Sequence, residues 1–135
     1  MRFVDTNLLL YAVSTAEDER TKKERAVAIL DGDDLVLSVQ VLQEFYVQAT
    51  RASRSDKLEH EVAVALIESW LRFRVHDVTV PAMRNALATA QRWQISYWDA
   101  AIVEAARQAG CPTVLSEDLQ HGMDFDGVRV TNPFR

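Results

Sequence analysis

The chain has 135 residues, of which 48% are hydrophobic, and a formal net charge of −5. That length suits a single domain spanning residues 1–135, and the apolar content is enough to bury a core without covalent staples. The acidic balance argues against a protein that grips nucleic acid through dense Lys/Arg coverage, the lone Cys111 excludes an internal disulfide, and no run approaches the roughly 20 apolar residues of a membrane span.

Taken in chain order, short apolar runs alternate with longer helical periods, the pattern of βαβ units around a parallel sheet. Arg2 to Asp5 reads as a first strand that ends in an acid, and Leu8, Leu9 and Ala12 mark a short helix. Thr15 to Asp18 reads as a capping box opening a second helix to about Leu30, ended by Asp31-Gly32-Asp33-Asp34. Leu35 to Leu37 is the second strand. Ser38 then caps a helix whose apolar positions are Val41, Leu42, Phe45 and Ala49, with Glu44 on its second turn.

The polar stretch Arg51 to Asp56 is expected as a loop, and Val62, Leu66, Ile67, Trp70 and Leu71 give an amphipathic helix. Val75 to Val78 is a third strand. Pro81 is a favoured first helical residue, so Ala82 to Trp93 is a helix; Ser96 starts another that runs through Ala109 and stops at Gly110. Thr113 to Leu115 is a fourth strand, Asp118 to Gly122 a turn of helix, and Val128 to Val130 a fifth strand.

Four acids fall where such a sheet holds ligands: Asp5 after strand one, Glu44 after strand two, Asp99 at the start of the late helix, and Asp118 after strand four. Two carboxylates about 5 Å apart repel by roughly 3 kcal/mol at an effective dielectric near 20, so a gathered set takes up protons or a cation. All-oxygen ligands favour a hard ion, Mg²⁺ or Mn²⁺, and the chemistry such ions serve is phosphoryl transfer to water. Each acid also has a plainer role. Asp5 suits a helix cap, Asp99 the acid of a capping box with Ser96, Asp118 or adjacent Glu117 a surface turn, and Glu44 a solvated helix face. Arg51, Arg54 and Lys57 are either solvated or phosphate contacts, and Trp98 is placed to stack a base. Cys111, Trp70 and Trp93 read as core, and His60, His76 and His121 lack a paired spacing for metal or acid–base work.

The constellation says more than its members. Phe3-Val4-Asp5-Thr6-Asn7, Ser38 to Glu44, Tyr97-Trp98-Asp99-Ala100-Ala101-Ile102 and Leu115-Ser116-Glu117-Asp118-Leu119 resemble, in order and separation, the PIN-domain family of metal-dependent ribonucleases. The likeness is greatest to VapC-type toxins of VapBC toxin–antitoxin pairs, and it covers essentially the whole chain. It implies a three-layer α/β sandwich with a parallel sheet in the order 3-2-1-4-5. It also implies an acidic quartet of Asp5, Glu44, Asp99 and Asp118 for Mg²⁺ or Mn²⁺, with Asn7, Ser38 and Ser116 as supporting polar positions and Glu117 as a possible substitute for Asp118.

An RNA substrate, a VapB-type antitoxin and a homodimer complete what the resemblance implies, while the lone Cys111 and the absence of a long apolar run point to a cytoplasmic location without membrane contact. One rival is an aspartyl-phosphate protein of receiver or phosphatase type; against it, position 7 is Asn7 rather than a second Asp, and no lysine follows Lys57. Another is a non-catalytic binding module whose acids hold a cation for stability alone.

Overall fold

A computed structural model describes residues 1–135. Its elements are β1 (Arg2–Val4), α1 (Thr6–Ala12), a 3₁₀ turn (Glu17–Glu19), α2 (Arg20–Leu30), β2 (Leu35–Ser38), α3 (Val39–Ala49), α4 (His60–Trp70), β3 (Arg74–His76), α5 (Val80–Trp93), α6 (Tyr97–Gln108), β4 (Thr113–Leu115) and β5 (Arg129–Thr131). The five strands form one parallel sheet in the order β3-β2-β1-β4-β5, flanked by the helices in a three-layer sandwich.

The central strands carry their own explanation. Every residue of β2 is buried, as are Phe3 and Val4 of β1, because helices cover a parallel sheet on both faces. Phe3, Leu8, Leu9, Leu37, Phe45, Val103 and Val114 are fully enclosed in one core, and Trp70 closes it edge-to-face on Phe45 with ring centroids 4.7 Å apart. Cys111 is buried in that core, Trp70 is 5% exposed, and Trp93 packs half-buried against Phe125. β1 lies between β2 and β4, with Val4 opposite Leu115, so the winding of the sheet reverses at the carboxyl ends of β1 and β4.

Five local expectations are corrected. Thr15 does not head a capping box: its N–H and hydroxyl both donate to Asp56 across the fold, while Ser14 accepts from Ala16 N–H and donates to Glu19, and the chain enters α2 through the 3₁₀ turn. No helical turn covers 118–122. There Asp118 and Leu119 N–H groups donate to the Ser116 hydroxyl and Gly122 N–H donates to Val130, with Gly122 at φ 83°, so the amides are spent on turns. β3 starts earlier than Val75 because its register pairs Arg74, Val75 and His76 with Val36, Leu37 and Ser38, and β5 likewise runs one residue later. Thr79 caps α5 by accepting from Ala82 N–H, which makes Val80 the first helical residue and Pro81 the second.

Candidate acidic active site

Asp5 is the first residue beyond β1 and the N-cap of α1. Its backbone N–H donates to Leu115, one carboxylate oxygen accepts from Thr6 N–H at 2.7 Å, and the other accepts from the Ser116 hydroxyl at 2.7 Å. The cap reading is therefore correct as far as it goes, yet it does not exhaust the residue. Asp5 is 4% exposed, and burial, reinforced by the nearby Asp118 and Glu44 charges, outweighs those two hydrogen bonds and pushes its pKa up to about 7.

Glu44 reaches Asp5's neighbourhood from α3. The Thr6 hydroxyl donates to Glu44 Oε2 at 2.8 Å and the Gln40 amide to Oε1 at 3.0 Å. α3 is aimed there by Ser38, whose hydroxyl accepts from Val41 N–H at 3.2 Å at the carboxyl end of β2. Asp99 arrives on the first turn of α6, where Asp99 N–H donates to the Ser96 hydroxyl at 3.1 Å. Its carboxylate is raised above the usual range, first by burial and then by the Asp118 and Glu44 charges, with the Ser96 hydroxyl acting in the opposite sense.

Glu44, Asp99 and the exposed Asp118 line one cleft of ≈ 520 Å³ together with Gln40, Gln43 and Trp98. A smaller cavity of ≈ 170 Å³ continues from Asp118 past Asn7, Tyr11, Glu19, Arg54 and Glu117. Asn7 Oδ1 accepts from Glu117 N–H, while its Nδ2 is buried without a partner.

None of Asp5, Glu44, Asp99 or Asp118 is paired with a cation. Glu117 is different. Lys22 lies 2.6 Å from it and Tyr11 donates to it; burial lifts its pKa, but these two partners outweigh burial and hold it below the usual carboxylate range. Side by side in sequence, Glu117 is neutralised and Asp118 is not. The donor set left over is all oxygen and carries uncompensated charge, which fits a hard divalent cation. No three of these side chains are drawn tightly enough together to enclose an ion unaided.

The basic candidates separate. Arg54 lines the smaller cavity while pairing with Asp56 at 3.0 Å, whereas Arg51 and Lys57 are exposed and line neither space. The histidines stand apart from the acids: His60 meets Tyr46, His76 meets Gln108, and His121 accepts from Asn132 N–H. Thr6 and Gln40 are the residues that sequence reasoning missed. Gln40 was accessible through its i,i+4 spacing to Glu44, but the bond from Thr6 spans 38 positions and leaves no local signal.

A profile of the PIN domain matches residues 2–122. Among solved structures, the fold is similar to that of Mycobacterium tuberculosis VapC20, described as a sarcin-ricin loop cleaving toxin, with a TM-score of 0.67 and 23% identity over 84% of this chain and 87% of that one. It is also similar to a chain in a toxin–antitoxin complex from Klebsiella pneumoniae (TM-score 0.68, 17% identity, 98% of each chain) and to one in FitAcB from Neisseria gonorrhoeae (0.63, 22%, 99% of each). No curated protein matches the sequence. With the profile running through β1, α3, α6 and β4, the segments that carry all four acids, the chain belongs to the PIN-domain family.

Proposed function

We propose that the protein is a Mg²⁺- or Mn²⁺-dependent endoribonuclease and the toxin of a type II toxin–antitoxin pair. The observation that supports this reading is the uncompensated charge: Glu44, Asp99 and Asp118 line one cleft with no Lys or Arg in its lining, and buried Asp5, near enough to Glu44 and Asp118 to feel their charges, is pushed up to about 7. In this reading Asp5, Glu44, Asp99 and Asp118 would hold the metal, a hard ion suited to oxygen ligands. The bound ion supplies a water acidified toward neutral pH and offsets charge on the phosphoryl oxygens.

The chain's own residues do the positioning. Ser116 and Thr6 N–H fix the Asp5 carboxylate, while Thr6 and Gln40 fix Glu44 through one oxygen each, so the acids are oriented before substrate arrives. Asp5, pushed up to about 7, holds a proton over much of the neutral range and would give it up to bulk water on binding a cation. The unpartnered Asn7 Nδ2 offers a donor for a water or phosphate oxygen, and Arg54 supplies a nearby positive charge on the far side of Asp118. Single-stranded RNA lies along the cleft, and in-line attack by water opposite the 3′ oxygen leaves 5′-phosphate and 3′-hydroxyl ends.

VapC20 is described as a sarcin-ricin loop cleaving toxin, and the Klebsiella chain belongs to a toxin–antitoxin complex; both support the toxin assignment by likeness of fold. A small VapB-type antitoxin that covers the cleft, a homodimeric state and a cytoplasmic location belong to the same proposal. No helix is long and apolar enough to cross a membrane.

Incubating the purified protein with end-labelled RNA tests the reading. Cleavage is expected with Mg²⁺ or Mn²⁺, is stopped by a chelator, leaves 5′-phosphate ends, and is lost in Asp5→Asn and Asp99→Asn. Cleavage that persists in chelator, or full activity in both variants, contradicts it.

A further inference from the structure

Next to the acidic cleft lies a second cavity of ≈ 100 Å³, enclosed between α3, the end of β3, α5 and α6, and the two spaces share Gln40, Gln43 and Trp98. Of its lining the catalytic reading uses only Ser38 and Gln40. Ala101 and Ala105 on α6 keep the space open where larger side chains would fill it. Trp98 at its mouth is 62% exposed, a large ring left to water, and is braced edge-to-face by Tyr97 at 5.1 Å. An aromatic face held beside the acidic cleft suits an unstacked base, because every base offers a π-face to such a platform.

The polar groups narrow the choice of base. Gln40 is committed to Glu44, and His76 to Gln108. The Ser38 hydroxyl caps α3, which leaves Gln43, the Tyr97 hydroxyl and Asp77; of these only Asp77, an exposed carboxylate in no ion pair, is purely an acceptor. An ionised carboxylate only accepts, and its two oxygens suit two adjacent N–H donors. Among the four RNA bases, only guanine carries such a pair on its Watson–Crick edge, N1–H beside the N2 amino group.

We propose that this cavity seats an unstacked guanine flanking the cleaved phosphodiester, stacked on Trp98 and read by Asp77. The assignment rests on the nuclease reading above and adds a base preference to it.

A randomised single-stranded RNA pool digested with Mn²⁺, with the ends of the products sequenced, tests it. Wild type is expected to enrich guanine at one fixed position beside the cut. Asp77→Asn should lower that enrichment by roughly tenfold. Trp98→Ala should raise KM by roughly tenfold or more, with a smaller effect on kcat, as loss of a stacking platform requires. Both positions are exposed, so a far-ultraviolet spectrum matching wild type is expected for each variant. Metal-dependent cleavage with no enriched base, with a different base enriched, or with guanine enrichment unchanged in Asp77→Asn overturns the base assignment and leaves the nuclease reading standing. No cleavage by wild type at all overturns both.

Discussion

At the scale of single residues, Glu117 and Asp118 show how one bond decides a role. Lys22 and Tyr11 commit Glu117 to a structural network, while Asp118 stands exposed in the cleft. Asp118→Asn is therefore expected to lose far more cleavage than Glu117→Gln when turnover is compared under saturating Mn²⁺. Asp5 carries a second test, with a sign fixed by its shift. Its folded pKa, about 7, lies above the unfolded value near 3.8, so the folded state holds the extra proton between those limits. Asp5's own contribution to metal-free stability is full below about pH 4, declines as pH rises toward 7 by on the order of 3–4 kcal/mol, and levels off above that, against the opposite low-pH trend of paired carboxylates such as Glu117. Thermal melts across this range should show the slope in wild type and a much flatter line in Asp5→Asn.

At the scale of elements, the helix starts aim the chemistry. Ser38 and Ser96 each cap a helix that carries an acid, so Ser38→Ala and Ser96→Ala should each cost about 1 kcal/mol in chemical denaturation. Thr6→Val should cost a comparable amount and also free Glu44, weakening divalent-ion affinity where the cap variants act mainly on stability.

What the sequence made legible follows the same division. β1, β2, β4 and the helices on either side of Ser96 were readable because apolar runs and capping residues are local signals. Asp5, Glu44, Asp99 and Asp118 stand out as a set through their motifs and order, and three of them, Glu44, Asp99 and Asp118, line one cleft. The true start of α2 was not, since Thr15 is diverted by Asp56, a partner 41 positions away. Neither was the turn after Ser116, whose amides answer to a side chain and to β5 rather than to helical periodicity. The cavity at Trp98 needs α3, α5 and α6 packed together before it exists.

At the scale of the whole molecule, the parallel sheet gathers charge that no single segment would keep. Glu44 of α3, Asp99 of α6 and Asp118 after β4 line one cleft, and Asp5 comes within reach of the Glu44 and Asp118 charges because β1 and β4 are neighbours. The charge is tolerated in the metal-free protein by protonating Asp5, and a bound cation would relieve it further.

Calorimetric titration of the metal-free protein with Mn²⁺ near pH 7 tests that central claim most directly. The account predicts saturable binding with proton release, together with at least a tenfold weaker affinity in Asp99→Asn. Absence of binding in wild type, or equal affinity in the variant, would contradict it.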